Sequence, residues 1–279
     1  MADEINLLGS RPVRHFQTSS KSIGEILYVH GWWGGSWVFD LFAPRLAANG
    51  YRGSAIDLSG AGGEFDAQLD VGRISFDEHL AEILAALDDL DDPILVGHSV
   101  GALLALKAAT IRPLRAVVAL TPAAPRGVMA ILNRKIMRMA ITQMPAMVGR
   151  KAFLPSKEVI AEIDLNRLSP EDQCDVYDRM VPASGTQGLV AGTLGYPIDW
   201  KGLMCPALIV SASDDQLTPP RIARTMADRF QSSERGDLVE YPGRAHYLLR
   251  EPGWEEVADD TAAWLGEHAR SNTRDPLRG

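Results

Sequence analysis

The fold is decided by the stretch Gly97-His98-Ser99-Val100-Gly101. It follows the apolar run Pro-Ile-Leu-Val at 93–96 and precedes Ala-Leu-Leu-Ala-Leu-Lys-Ala-Ala at 102–109, a run typical of a helix. A strand that turns directly into a helix through Gly-x-Ser-x-Gly is the nucleophile elbow, in which the serine takes a strained backbone conformation and the glycines leave room for the neighbouring strand and helix. We therefore predict that the Ser99 hydroxyl stands clear of a sheet, at the positive end of a helix.

Apolar runs typical of strands alternate with amphipathic patterns on both sides of this stretch. The predicted strands lie at 13–17, 25–30, 51–57, 115–120, 206–212 and 238–241. Apolar residues recur at helical spacing at 36–49, 76–90, 219–231 and 253–268. This alternation predicts a mostly parallel sheet that is covered by helices on both faces.

The alternation stops between 122 and 200. Apolar residues recur there at helical spacing, and no strand-like run occurs. The prolines that divide this region into pieces are Pro145, Pro155, Pro170 and Pro182. We predict an all-helical cap at 122–200, inserted into a core that consists of 1–121 and 201–279.

Composition and charge are those of an ordinary globular chain. The 279 residues are 46% hydrophobic and 23% charged, and 28 basic and 36 acidic residues give a net charge of −8. A negative balance argues against nucleic acid or an anionic membrane as the main partner. We expect a small-molecule partner instead, and leave a homodimer open.

No targeting or membrane segment is predicted. The N-terminus, Met-Ala-Asp-Glu-Ile-Asn at 1–6, lacks the apolar region of a signal peptide. No apolar run approaches the ~18 residues that a membrane span needs, so a cytoplasmic location is the expectation. Cys174 and Cys205 lack the spacing of a zinc site, and we predict no disulfide.

Several polar residues fall where predicted strands end, and in parallel α/β sheets the active site lies at these carboxyl ends. His246 follows the last predicted strand, and Asp214 and Asp215 follow the strand before it. A serine such as Ser99 needs a base to take its proton and an acid to orient that base. The order Ser, Asp, His along the chain is the order found in α/β-hydrolases.

The span 25–266 resembles an α/β-hydrolase fold protein with a helical cap. The matching motifs are His-Gly-Trp at 30–32, Gly-His-Ser-Val-Gly at 97–101, Ala-Ser-Asp-Asp-Gln-Leu-Thr-Pro at 212–219 and Pro-Gly-Arg-Ala-His at 242–246. Ala212 and Ala245 depart from the family pattern, which has glycine there, but both residues are small. The resemblance implies that Ser99 is the nucleophile, His246 the base and Asp215 the acid.

The resemblance also implies which residues surround the reaction. An oxyanion hole needs two backbone N–H groups, and the family pattern assigns these to Trp32 and Val100. His30, His98 and Asp57 are expected to order the neighbouring loops and not to react. Asp214 is expected to be exposed or to cap the next helix.

The substrate pocket is expected to be apolar and to lie under the cap. Trp33, Met137 and Met144 are the predicted substrate-binding residues, since methionines make an adaptable apolar surface. Such a pocket favours a small molecule with an apolar acyl or aromatic group. The resemblance implies no metal and no organic cofactor.

A serine nucleophile points to acyl transfer, that is, cleavage of a carboxylic ester, thioester or lactone through an acyl-enzyme. Relatives on this fold can keep the same three residues for other reactions, as lyases, cofactor-free oxygenases, perhydrolases or C–C bond hydrolases. A ligand receptor on the same scaffold is a third alternative. The motifs leave these alternatives open.

Overall fold

A mostly parallel sheet forms the middle of the protein. The computed structural model describes residues 6–19, 21–61, 69–128, 133–231 and 236–269, so the ends of the predicted core, 1–5 and 270–279, lie outside it. The strands are β1 (Leu7–Leu8), β2 (Arg11–Phe16), β3 (Gly24–Val29), β4 (Tyr51–Ile56), β5 (Ile94–His98), β6 (Ala116–Leu120), β7 (Ala207–Ala212) and β8 (Gly236–Tyr241). Their order across the sheet is β1-β2-β4-β3-β5-β6-β7-β8. Only β2 pairs antiparallel, with β1 and β4; all other described pairs are parallel.

The register of the central strands brings their carboxyl ends together. Every residue of β5 and β6 is buried, as expected for parallel strands that are covered on both faces. Val29 of β3 is paired with Gly97 of β5, and His98 of β5 with Leu120 of β6. The loops that follow these three strands therefore meet at one edge of the sheet.

Helices cover both faces of the sheet, as predicted. They are α1 (Phe42–Ala48), α2 (Phe76–Asp88), α3 (Val100–Ala109), α4 (Arg134–Val148), α5 (Lys157–Ile163), α6 (Pro170–Asp178), α7 (Gly185–Gly192), α8 (Arg221–Gln231) and α9 (Trp254–His268). Tyr28 packs into an apolar cluster with Phe42 of α1, whereas its neighbour Val29 packs into a second cluster with Ile83 of α2. This alternation along β3 places one cluster on each face. None of the described helices is both long enough and apolar enough to cross a membrane.

The helix predicted over 36–49 is shorter in the structure. A 3-10 helix covers Ser36–Phe39, and the α-helix α1 begins only at Phe42. Pro44 explains the difference, because its ring would collide with the carbonyl group of Asp40 in a continuous helix and it has no N–H to offer that carbonyl. In the first turn of α1 this missing donor costs nothing.

Four helices, α4 to α7, lie between β6 and β7, in the region where helices were predicted. Polar residues cap their N-termini: Asn133 accepts a hydrogen bond from the Ile136 N–H, and Ser184 accepts one from the Gln187 N–H. Pro170 opens α6, whereas Pro145 lies inside α4 near its end. Whether 122–200 is a separate cap stays a prediction.

Candidate active site

Ser99 lies in the turn between β5 and α3 and has a strained backbone. Its φ of 56° and ψ of −119° fall in a region that side chains rarely adopt. Hydrogen bonds hold it there, because its N–H donates to the Leu120 carbonyl over 2.9 Å and its carbonyl accepts from the N–H groups of Ala102 and Ala123. The turn predicted from the sequence is therefore present, and hydrogen bonds to β6, to the loop that follows it and to α3 hold Ser99 in this conformation.

The flanking glycines are required by close packing. A Cβ atom at position 97 would overlap the carbonyl oxygen of Gly101, and a Cβ at position 101 would overlap the carbonyl oxygen of Val29. A Cβ at position 31 would lie 2.8 Å from the Ser99 Cβ. The loop after β3 therefore packs directly against the serine.

His246 and Asp215 form a buried pair beside this turn. The Nδ1 atom of His246 lies 2.8 Å from Oδ2 of Asp215. The other oxygen of Asp215 accepts hydrogen bonds from the backbone N–H groups of Leu217 and Thr218, at 2.8 and 2.7 Å. The Thr218 hydroxyl donates to Oδ2 over 2.7 Å. These contacts fix the Asp215 carboxylate. The carboxylate in turn orients the His246 ring, so that Nδ1 faces the acid and Nε2 faces away from it.

The charges around His246 make it a stronger base than a free histidine. Burial alone would lower the pKa of His246, but the carboxylate of Asp215, its hydrogen bond to the ring and the carboxylate of Asp164 outweigh this effect and raise the pKa above its ordinary value of 6.5. A histidine in such surroundings takes up a proton readily and is held in one orientation while it does so.

His98 and His30 are tied to the backbone around the site. His98 Nε2 lies 2.9 Å from the carbonyl oxygen of His246, and burial lowers the pKa of His98 to about 3, so the neutral ring donates to that carbonyl. His30 accepts a hydrogen bond at Nε2 from the Leu58 N–H and lies 2.8 Å from the Gly31 carbonyl through Nδ1. Both rings therefore hold loops in place.

Asp57 and Asp214, the other acids at strand ends, lie apart from the reacting groups. Asp57 accepts hydrogen bonds from the backbone N–H and the hydroxyl group of Ser36, at 2.6 and 3.1 Å. Asp214 is half-buried, with its side chain 44% exposed, and forms an ion pair with Arg167 at 3.2 Å. Neither carboxylate has the buried contact with His246 that Asp215 makes.

Ser99 and His246 open into the same cavity, which contains about 380 Å³ of space between atoms. Its lining consists of Gly31, Trp32, Trp33, Gly34, Trp37, Val38, His98, Ser99, Asp164, Met180, Leu217, His246 and Tyr247. The predicted substrate-binding residue Trp33 thus lies at the site, in a mostly apolar and aromatic surrounding.

A second cavity of about 390 Å³ lies beside the first and shares Gly31, Trp32 and Trp33 with it. Val100 also lines this cavity and is the first residue of α3, so its N–H precedes the hydrogen-bond ladder of the helix. Among the described residues, none accepts a hydrogen bond from the Trp32 backbone N–H. The two predicted oxyanion donors, the backbone N–H groups of Trp32 and Val100, therefore lie beside Ser99 and have no hydrogen-bond acceptor among the described residues.

Met137 and Met144 are not brought to the site. Their side chains are 44% and 45% exposed, and neither lines one of the two cavities. Helix α4 turns a different face inward, with Ile136, Met139 and Met147 buried. The helical spacing was predicted, but the sequence offers two apolar faces and does not indicate which one packs. Met180 contacts the cavity instead.

Asp164 lines the cavity as well, although sequence reasoning missed it. It lies just after α5 and its side chain is buried, with Oδ1 at 4.0 Å from Nε2 of His246. The one signal in the sequence is an aspartate between two apolar residues, Ile163 and Leu165, that both belong to the core. No motif accompanies it.

Residues 26–260 match the model of the alpha/beta hydrolase family. This match covers most of the chain, and the sheet, the strained serine turn and the strand order agree with it. The chain belongs to the alpha/beta hydrolase family, which confirms the fold and the family predicted from the motifs.

Curated relatives match over a shorter stretch. Methylesterase 3 of Arabidopsis thaliana is 34% identical over 83 residues, which cover 28% of this chain and 31% of that protein. The carbendazim hydrolyzing esterase of Nocardioides sp. is 32% identical over 28% of this chain and 33% of its own length. The chain thus spans about a third of the length of these relatives in the matched stretch.

Solved structures resemble the chain over nearly its whole length. The monoacylglycerol lipase of Paleococcus ferrophilus has a TM-score of 0.69 at 22% identity, covering 92% of this chain and 99% of that one. MenH from S. aureus has a TM-score of 0.69 at 17% identity, covering 91% and 98%. At these identities the likeness shows the fold alone.

Proposed function

We propose that the protein is a serine hydrolase that cleaves a carboxylic ester, with a thioester or lactone as related substrates. The observation that carries this proposal is the buried 2.8 Å contact between His246 Nδ1 and Asp215 Oδ2, beside a cavity that Ser99 also lines. A buried histidine–aspartate pair of this kind can activate a neighbouring hydroxyl group by accepting its proton. The names of the matched relatives, a methylesterase and an esterase, support the same reaction.

In the proposed mechanism Ser99 Oγ attacks the ester carbonyl while His246 Nε2 takes its proton. Asp215 holds the ring and stabilises the imidazolium that forms. The N–H groups of Trp32 and Val100 stabilise the oxyanion. His246 then protonates the leaving alcohol, and water hydrolyses the acyl-enzyme by the same route. Residues 122–200 act as a cap over the reacting groups.

The test compares hydrolysis of p-nitrophenyl acetate and butyrate by the wild type and the Ser99→Ala variant. We expect the variant to lose activity by about 10³-fold or more, because the nucleophile is absent. Ser156→Ala serves as the matched control, since Ser156 is exposed and lines neither cavity. Equal turnover by wild type and Ser99→Ala contradicts the proposal.

A fluorophosphonate probe separates the alternatives left open by the motifs. An activated serine reacts with it whatever the natural substrate is, so labelling at Ser99 that fails in the His246→Ala variant supports nucleophilic catalysis. A folded protein that is not labelled favours a ligand receptor. Labelling combined with a reaction that survives Ser99→Ala favours a lyase or a cofactor-free oxygenase.

Location and assembly belong to the proposal as well. We propose a cytoplasmic location, as the sequence predicts, and leave a homodimer open. Light scattering on the purified chain measures the mass in solution, for which a monomer corresponds to 30.4 kDa.

A further inference from the structure

The cavity that holds Ser99 contains a carboxylate that the proposed mechanism does not use. Asp164 is 4% exposed, and its Oδ1 atom is buried without a hydrogen-bond partner in the described part of the chain. A buried polar atom that lacks a partner is costly, and a charged one more so. Its presence therefore calls for a partner outside the described chain.

The fold gives no structural reason for this aspartate. Asp164 is the C-cap residue of α5, where the partial negative charge of the helix end disfavours a carboxylate. Its backbone N–H donates to the Ile160 carbonyl over 2.9 Å, a contact that any residue except proline makes. Neither packing nor capping uses the side-chain oxygen Oδ1.

The groups that face Asp164 do not satisfy it. His246 Nε2 lies 4.0 Å away, beyond hydrogen-bond distance, and Asp215 behind it is a like charge. Tyr247 also lines the cavity, and its hydroxyl group is likewise buried without a partner among the described residues. Trp33 supplies an aromatic surface in the same cavity, whereas the Trp37 ring, which also lines it, already has the Arg179 guanidinium 4.4 Å from its centroid.

The electrostatics of the cavity fit a positive ligand group. Burial raises the pKa of Asp164 to about 6; protonated His246 lowers it and Asp215 raises it further. Near neutral pH the side chain is thus a carboxylate in a mostly apolar cavity. An ammonium group neutralises that charge, and aromatic faces attract its methyl groups and its cation.

The mechanism indicates which part of the ester lies there. The leaving alcohol must receive its proton from His246 Nε2, so the alcohol portion of the substrate lies next to that atom. Oδ1 of Asp164 is 4.0 Å from the same atom. A cation on the alcohol, two carbons from the ester oxygen, can therefore reach the Asp164 carboxylate. The acyl group of the ester then lies toward the second cavity.

We propose that Asp164 is a substrate-binding carboxylate that selects esters whose alcohol portion carries a protonated amine. The inference rests on the proposed ester hydrolysis and names the substrate class of that site. Asp164 binds the ammonium group by a charge-assisted hydrogen bond, and the indole of Trp33 contacts its methyl groups.

The test uses a pair of esters of the same shape. In 2-(dimethylamino)ethyl butyrate the alcohol carries a cation, and in 3-methylbutyl butyrate a carbon replaces the nitrogen. Butyrate release is followed by titrating the liberated acid with base at about pH 7.5. At this pH the Asp164 carboxylate is charged and the amine is protonated. We expect Asp164→Asn to lower the ratio of kcat/KM for the cationic ester to kcat/KM for the neutral ester by about 10- to 100-fold.

The matched control is Asp178→Asn. Asp178 is an exposed aspartate of the same region that lines neither cavity, and we expect both esters to react as with the wild type. Asparagine has the shape of aspartate, so the fold is kept, which circular dichroism checks. An equal fall for both esters overturns the inference, because Asp164 then acts only through His246.

A binding measurement keeps the inference separate from the proposed function. Calorimetry measures the affinity of 2-(dimethylamino)ethanol, the alcohol of the cationic ester, for the inactive Ser99→Ala protein. We expect binding that weakens at least about tenfold when Asp164→Asn is added. If the wild type cleaves neither ester, the proposed function fails while this binding still supports the amine site. If the alcohol binds equally with and without Asp164, or does not bind, the inference fails even when ester hydrolysis is found.

Discussion

Ser99 occupies a backbone conformation that only its surroundings make stable. The residue has φ 56° and ψ −119°, and a conformation of this kind costs about 1–3 kcal/mol. Hydrogen bonds to Leu120 and close packing at Gly97 and Gly101 offset this cost. The geometry of Ser99, the proposed nucleophile, is therefore sensitive to a single methyl group placed in the turn.

Gly101→Ala tests this sensitivity. The added Cβ would overlap the carbonyl oxygen of Val29, so the strand or the helix must shift. We expect the free energy of unfolding in urea to fall by about 3 kcal/mol or more, and activity to be lost. Gly192→Ala is the matched control, since a Cβ there meets no atom within 4 Å. We expect that control to change stability by less than about 1 kcal/mol. Comparable losses in both variants contradict the close-packing account.

The pH dependence of hydrolysis reports the pKa of His246. In the proposed mechanism His246 must be neutral to accept the Ser99 proton, so we expect kcat/KM for a neutral ester to rise with pH as His246 loses its proton. Since carboxylates raise the pKa of His246 above 6.5, we expect the midpoint of this rise above pH 6.5. A midpoint below that value contradicts the electrostatic account of the site.

The charged groups that face His246 predict how the profile moves. Asp215, Asp164 and Glu251 each raise its pKa. Removing the charge of Asp164 in Asp164→Asn therefore lowers the pKa of His246 and shifts the rising limb to lower pH. The exposed control Asp178→Asn leaves the limb in place. A shift to higher pH with Asp164→Asn is the opposite of the expected sign.

Among the elements, strands and their ends could be predicted well and helix faces could not. The runs that became β5 and β6 are apolar on both faces, and the register of a parallel sheet brings their ends together whatever the side chains are. Ser99, Asp215 and His246 follow strands, so the sequence predicts that they lie at the same edge of the sheet. Met137 lies on α4, whose inward face is decided by contacts with distant elements, and the periodicity of the sequence does not contain that information.

Asp164 was missed for the same physical reason. It follows a short helix, α5, that has no motif, and its place at the cavity depends on how α5 packs against α4 and α6. A lone aspartate in an apolar stretch is a weak signal. Residues at the ends of sheet strands are thus predictable from the chain, whereas those contributed by 122–200 need the tertiary structure.

One side chain links the helices of 122–200 to the loop of the proposed oxyanion hole. Gln187 of α7 is fully buried; it accepts a hydrogen bond from the Trp32 indole N–H over 2.9 Å and donates to the Ser75 carbonyl over 3.1 Å. Its amide nitrogen also lies 2.9 Å from Nδ1 of His79. Burial lowers the pKa of His79 to about 4, so the neutral ring accepts this bond.

Gln187→Leu tests that link. The change leaves the Trp32 indole and His79 without their partner, and we expect a loss of about 1–3 kcal/mol in the free energy of unfolding. We also expect a lower kcat, because the loop that carries the Trp32 N–H is less well held. Gln17→Leu, at an exposed position, is the control and should change neither quantity. An unchanged kcat in Gln187→Leu would show that the contacts of Gln187 on α7 do not affect the reaction.

At the scale of the whole molecule, the site is assembled from two parts of the chain. The sheet supplies Ser99, Asp215 and His246 at the ends of β5, β7 and β8. The region 122–200 supplies Asp164 and Met180 to the same cavity. In the proposed function the reaction type therefore depends on residues at the sheet, whereas the choice of substrate depends on the helices of 122–200.

The net charge of the chain and the charge of Asp164 both attract a cationic ester, but over different distances. Measuring kcat/KM at low and at high salt distinguishes the two effects. The net charge of −8 attracts the cation through solvent, and that attraction is screened when the Debye length shortens from about 20–30 Å at low salt to a few Å near 1 M. Asp164 acts at contact inside the cavity, where salt screens little.

We expect added sodium chloride to lower kcat/KM for 2-(dimethylamino)ethyl butyrate a few-fold and to leave kcat/KM for 3-methylbutyl butyrate unchanged. The remaining preference for the cationic ester at high salt should disappear in Asp164→Asn. A preference that vanishes with salt in the wild type would assign the selection to the overall charge and not to Asp164.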